Sequence, residues 1–426
     1  MLNRTIAPPI KDAIEFDLKL KPYTKYTLKN GVQVYAIDGG AQEVLLFQMV
    51  FFAGNAFEKQ NGIAAATNAL LKNGTSTKTA FQINEQFEFY GAHCNRECYS
   101  DSAVLTLHTL TKHLPELLPV MKEMVTDSVF SDNELAIFKQ NSLQQLSVRL
   151  KKCDFVASRL MDESLFGKEH PYGKYLVAED YEAITADKLK EFFKQYYVNG
   201  ELILFVAGKL PADIEAQLNN NFGDLTVTSP TSFSSNLPMT PASEKKYRIQ
   251  NDPEGLQGAI RIAQPFPNRH HPDFMKAMLL NTVLGGFFGS RLMANIREDK
   301  GYTYGIHSFL QNNIQQSAWV ISTEAGKDVC EATIAEVYKE MKILREELID
   351  EEELLLVRNY LIGTLLGDLD GPFQIIARWK NLILNGLDEQ YFYESIRVIK
   401  TLSAEEIRAL ANKYLHPENF YEIVVI

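Results

Sequence analysis

The sequence predicts an α+β chain of two homologous domains, each a mostly antiparallel sheet with helices packed on one face. Three observations carry this reading. Residues 184–208, "ITADKLKEFFKQYYVNGELILFVAG", and 402–426, "LSAEEIRALANKYLHPENFYEIVVI", share one layout. Each has a Thr or Ser at the N-cap position, an amphipathic helix ending in Tyr, a short polar turn and an apolar strand. "FSDNELAIFKQNSLQQL" (130–146) and "ELIDEEELLLVRNYLIGTLL" (347–366) each open a long helix with an acidic first turn. The apolar segments "GVQVYAI", "EVLLFQMVFF" and "SAVLTLHTL" come as adjacent pairs and do not alternate strictly with helices, which favours antiparallel pairing over a parallel βαβ sheet. Two matched segments at one large period indicate duplication.

The halves divide at "LTVTSPTSFSSNLPMTPASEK" (225–245), which is rich in Ser, Thr and Pro and poor in apolar residues. The expected units are therefore an N-terminal domain over 1–224, a linker over 225–245 and a C-terminal domain over 246–426. A chain of 426 residues with 46% hydrophobic and 23% charged residues has the composition of a globular protein with real cores. Its net charge of -11 argues against nucleic-acid or anionic-membrane partners.

The four cysteines, Cys94, Cys98, Cys153 and Cys330, are too few and too scattered for a disulfide framework. "MLNRTIAPPIKDAIEFDLKLKPY" contains no apolar stretch of signal-peptide length. The longest apolar runs fall well short of the roughly 18 residues a membrane span requires. A soluble, cytoplasmic chain with reduced thiols is expected.

The helix signal in "GIAAATNALLKNGT" (62–75) is that of an ordinary buried helix, opened by Gly62 and stopped at Asn73-Gly74. Its surroundings carry a resemblance. "LKNGVQVYAI", "FFAGNAFEKQNGIAAATNALLKNGT", "YGAHCNRECYSDSAVLTL", "HPYGK" and, in the second half, "LGGFFGSRLMANIREDKGYTYGIHSFL" are similar to segments of the pitrilysin/insulinase-like zinc peptidases, the inverted-motif enzymes that include mitochondrial processing peptidase.

That family binds zinc through H-x-x-E-H on a helix, where the i and i+4 positions bring two imidazoles to one face, with a further Glu from a later helix. Here the matching positions are Ala65, Asn68 and Ala69, and the later helix offers Gln144, Gln145 and Leu146, with Glu134 about three turns away. Alanine has no lone pair, and Asn68 is neither a base nor a good zinc ligand. The chain is expected to bind no zinc, to hold no catalytic residues of its own and to need no cofactor.

In the family, one unit brings zinc and the other brings an Arg and a Tyr that hold the substrate. "REDKGYTY" supplies Arg297 and Tyr304 at the matching spacing. A guanidinium and a phenol can hydrogen-bond a peptide carbonyl, and the phenol can stabilise an oxyanion. A plainer structural reading of the same residues pairs Arg297 with Glu298 or Asp299 and buries Tyr304 in the core.

"GAHCNRECYSD" resembles the strand along which the family binds extended peptide by β-addition. The resemblance implies a non-catalytic subunit that pairs with a zinc-bearing homologue as a heterodimer and binds peptide. The chain alone is a candidate homodimer. The alternative is a scaffold of the same fold without a proteolytic role, like the core subunits of the cytochrome bc1 complex.

Other candidate features read as structure. On a strand His93 faces away from Cys94 and Cys98, themselves about 13 Å apart, so the three share no metal. His270-His271 lies in a polar turn. Gly285, Gly286 and Gly289 read as a flexible turn. "GDLDGP" (367–372), with Asp368 and Asp370, reads as a helix–helix turn with capping aspartates.

Overall fold

Both expected N-cap pairs form. Thr185 accepts from the Lys188 amide at the head of the helix Ala186–Phe193, and Ser403 accepts from Glu406 at the head of Ala404–Tyr414. Ser131 and Asp350 cap the long helices Asp132–Arg149 and Glu351–Gly367 in the same way. These features are seen in the computed structural model, which describes Thr5, Asp12, 15–226 and 237–426. Of the expected linker, residues 227–236 lie outside the described residues.

The first half contains strands β1 (Thr24–Thr27), β2 (Gln33–Asp38), β3 (Val44–Phe51), β4 (His93–Cys98), β5 (Ala103–Leu110) and β6 (Leu202–Gly208). The second contains β7 (Lys246–Ile249), β8 (Gln257–Phe266), β9 (Thr303–Gln311), β10 (Ser317–Gly326) and β11 (Tyr421–Val425). The six-stranded sheet runs β1-β2-β6-β3-β5-β4 and the five-stranded sheet runs β7-β11-β8-β10-β9. In each, one pairing is parallel (β2 with β6, β7 with β11) and the rest are antiparallel. Matching β2 to β7, β3 to β8, β4 to β9, β5 to β10 and β6 to β11 superimposes the two strand orders, with β1 the extra strand of the first half. The chain is an α+β fold stated twice.

Each half packs its own helices on one sheet face, with Phe47, Phe51, Met121 and Phe222 in one core and Phe266, Leu280, Trp319 and Val337 in the other. Each sheet's second face is covered by helix from the opposite half. Tyr35, Val50, Ile203 and Phe205 meet Ile376, Trp379 and Phe392 from the helices Pro372–Leu384 and Glu389–Thr401. Reciprocally, Ala157, Met161 and Phe166 of the helix Cys153–Phe166 cover Ala263, Val320 and Ile423. A helix on one face only therefore describes each half taken alone. The reason lies in strands such as "LILFVAG", buried at every position: a strand without polar alternation has two faces to hide. The exchange of covers packs residues of both halves into two shared buried clusters.

Candidate functional site

The helix Ile63–Leu70 begins after Gly62, whose φ of 87° is the left-handed region glycine tolerates. Ala65 and Ala69 lie on its half-exposed side, while Asn68 is 2% exposed. The Asn68 amide donates to the Tyr197 hydroxyl at 3.2 Å. Leu146 is buried, whereas Gln144 and Gln145 are exposed. Glu134 accepts from the Asn73 side chain at 2.7 Å, at the helix's C-terminal end. Two methyl groups and a carboxamide already bonded to a phenol do not fit a zinc ion. Among the described residues no three His, Cys, Asp or Glu side chains are placed to hold a metal.

The ends of this helix are held by charge. Glu58 accepts from the Ala64 amide at 2.8 Å and pairs with Lys174 at 2.9 Å, both side chains largely buried. At the other end the Arg96 guanidinium donates to the Ala69 carbonyl. A carboxylate at the N-terminus and a guanidinium at the C-terminus both oppose the helix dipole's partial charges. The sequence reading missed Glu58 and Lys174. Lys174 sits in the quoted "HPYGK", so the signal was present without a role.

The rest of "HPYGK" ties the halves together. His170 Nδ1 accepts from the Tyr172 amide at 3.1 Å. The Tyr172 hydroxyl donates to Asp101 at 3.0 Å and accepts from the Gln315 amide of the second half at 3.2 Å. Nearby, Gln311 at the end of β9 donates to Asp162 at 3.3 Å. Burial pushes the Asp101 carboxyl up to about 6 and the Asp162 carboxyl up to about 7.

Strand β4 is an edge of its sheet, with one side free of strand partners among the described residues. Its alternation is the one expected. His93 is exposed, and Cys94 is buried with its sulfur 3.7 Å from Met121 Sδ. Burial pushes Cys94 up to about 11 and Cys98 up to about 12, so both are thiols at neutral pH.

Arg297 and Tyr304 lie on adjoining elements, the helical turn Met293–Asp299 and β9, the edge strand of the second sheet. Neither follows the plain structural reading. Among the described residues Arg297 forms no ion pair; its guanidinium lies 4.7 Å from the centroid of the Phe288 ring. Tyr304 is 88% exposed.

The pairing register explains that exposure. Thr323 faces Ile306, but Ala325 faces Thr303, so Tyr304 and Gly305 together oppose Glu324 alone. This is a β-bulge, which redirects side chains and is common beside functional sites. By simple alternation Tyr304 would share the inward face with Ile306, Ser308 and Leu310, all buried. The extra residue turns it out. The bulge is pinned by hydroxyls: Thr303 Oγ1 accepts from the Gly305 amide at 3.1 Å, and Thr323 donates to the Gly305 carbonyl at 2.9 Å.

Of the glycines nearby, Gly289 lies in a turn between two helical segments, as expected, whereas Gly285 is fixed by packing. A Cβ at Gly285 would stand 2.9 Å from the Ser308 amide of β9. The same Ser308 bonds Asn281 at 2.6 Å and Trp319 at 2.9 Å, locking β9 against its supporting helix. The remaining features are structural, as read. His270 bonds the Asn385 carbonyl at 2.8 Å, and "GDLDGP" is a helix–helix turn. Its Asp368, however, pairs with Arg378.

Fold and site together define a duplicated peptidase-type scaffold whose metal positions hold no ligand side chains. The model of the insulinase family, peptidase family M16, matches residues 42–170. That of the peptidase M16 inactive domain matches 183–361. The chain belongs to this family, as a member without its zinc motif.

It is 22% identical over 397 residues to an uncharacterized zinc protease, YmxG, of Bacillus subtilis, covering 91% of this chain and 95% of that one. It is 25% identical over 323 residues to a protein of Helicobacter pylori named non-peptidase homolog YmxG, covering 74% and 73%. A solved peptidase M16 inactive domain from Pseudomonas fluorescens has the same fold, with a TM-score of 0.84 at 23% identity over 95% of this chain and 98% of that one.

Proposed function

We propose that this chain is the non-catalytic subunit of a two-chain zinc peptidase, presenting Arg297 and Tyr304 to substrate held by a zinc-bearing homologue. The observation that carries the reading is the bulge at Tyr304-Gly305, which turns a phenol out of a core position into solvent on the strand that follows the helical turn carrying Arg297, itself without a carboxylate partner among the described residues. The outward placement of Tyr304 adds nothing to the core. A phenol and a guanidinium can each donate to a peptide carbonyl, and preformed donors need little rearrangement as charge develops there. The edge strand β4 offers main-chain groups to an extended peptide. Metal chemistry would come from the partner; this chain would bind and orient the peptide.

The test is reconstitution with a homologue that retains H-x-x-E-H, followed by kcat and KM on a peptide substrate. Arg297→Ala and Tyr304→Phe should leave folding and pairing intact and lower kcat/KM, each by on the order of 100-fold. The double variant should lose less than the product of the two. Full activity in the double variant, with the pair still assembled, leaves the chain as a scaffold of the same fold.

A further inference from the structure

The second half contains a cavity of about 400 Å³ between the helices Phe274–Asn281, Glu351–Gly367, Pro372–Leu384 and Glu389–Thr401. The size lies within the roughly 300–1,000 Å³ of ligand pockets. Neither Arg297 nor Tyr304 borders it. Met275, Met278, Leu361 and Ile399 give it apolar walls, and Arg269, Arg378, Asp368 and Tyr391 give it a charged end.

The charges at that end do not balance. Arg378 is paired with Asp368. Arg269 stands beside Tyr391 and close enough to Arg378 to be repelled by it. Arg269 Nε and Tyr391 Oη are both buried; the two side chains lie within hydrogen-bonding reach of each other, but neither atom has a well-aligned partner among the described residues. Burial, the largest cause, and the Arg378 charge both push the Arg269 pKa down, offset in part by Tyr391. A largely buried guanidinium with no carboxylate partner among the described residues, and a buried hydroxyl whose neighbour is that cation and so leaves its proton without an acceptor, are both unfavourable. They occur side by side, at the end of an apolar cavity, in a chain whose net charge is -11.

We propose that this cavity binds an amphiphilic monoanion, a carboxylate carried on an apolar body. The carboxylate accepts from Arg269 and Tyr391, which matches the unbalanced charge and gives the Tyr391 hydroxyl proton an acceptor. The body lies along Met275, Met278 and Leu361, where the pliant methionine side chains accommodate chains of different shape. Two sources share this chemistry: a free medium-chain fatty acid, and the C-terminal residue of an apolar peptide. The proposal does not rest on the two-chain peptidase reading.

The test is calorimetric titration of the full chain with decanoate below its micellar concentration and with N-acetyl-leucyl-leucine. Decanol and the C-terminal amide of the dipeptide serve as neutral counterparts. At least one acid should bind saturably, with its neutral counterpart at least about tenfold weaker. Decanoate alone identifies a free lipid acid, the dipeptide alone a peptide terminus, and both the shared group.

Arg269→Met should weaken binding by about tenfold to a hundredfold, the effect of losing a hydrogen bond to a charged group. Met278→Trp should also block binding, by filling the cavity with Arg269 retained. Met278 is 43% exposed, so this variant tests the site if the first fails to fold. No saturable binding of either acid, equal binding of acid and neutral partner, or wild-type affinity in Met278→Trp would overturn the proposal.

Discussion

Asn68 occupies the position to which the sequence resemblance assigns the family's general base, and its replacement measures what that position now does. Its side chain is 2% exposed and that of Tyr197 1%, and each is the other's hydrogen-bond partner at 3.2 Å. Asn68→Leu would keep the volume and leave the Tyr197 hydroxyl buried and unpaired. Tyr197→Phe would leave the Asn68 amide in the same state. An unsatisfied buried polar group costs about 1–3 kcal/mol, whereas replacing both partners with apolar groups of similar shape is close to neutral. Each single variant should therefore lose about 1–3 kcal/mol and the double variant much less than the sum, a coupling of at least about 1 kcal/mol. Urea unfolding reads this from the midpoint, provided the m-value stays constant so that stability alone has changed. Losses that simply add, or single variants within about 0.5 kcal/mol of the parent, would falsify the structural role and reopen a functional one for Asn68.

The same burial bears on the motif itself. Ala65→His, Asn68→Glu and Ala69→His together should restore neither stoichiometric zinc nor peptidase activity. Leu146 still stands where a carboxylate is needed, and Asn68→Glu would replace a bonded amide with a buried charge. Metal analysis after dialysis and a peptide assay check this, and zinc-dependent cleavage by the triple variant would contradict it. A second expectation concerns pH. Asp162 keeps its proton in the fold to about pH 7, while the unfolded chain releases it near pH 4. The unfolded state thus binds fewer protons in that window, and stability falls as pH rises through it, by at most about 1.4 kcal/mol per unit, levelling above the folded value. Asp162→Asn should flatten the fall in a series of urea midpoints across the window; an unchanged slope would show that other groups govern it.

Much of the architecture was legible because it is written in short-range signals. The caps at Thr185 and Ser403 and the acidic first turns after Ser131 and Asp350 each act within one helical turn, so their repetition makes the duplication legible in the sequence. The loss of the zinc site was equally plain, since Ala65 and Ala69 have no donor in any conformation.

What the tertiary structure alone decided depends on partners far along the chain. The sequence predicts helices on one face of each sheet; that Trp379 and Phe392 from the opposite half cover the second face of the sheet holding β6 appears only in the tertiary structure. The spacing of Arg297 and Tyr304 was visible, yet Tyr304 could equally have faced the core. A one-residue slip against Glu324 turned it out, and pairing registers are set by facing strands and by hydroxyls such as that of Thr323. The unbalanced Arg269 left no mark in the sequence, because whether a guanidinium has an anion beside it is settled only when helices distant in the chain close around it.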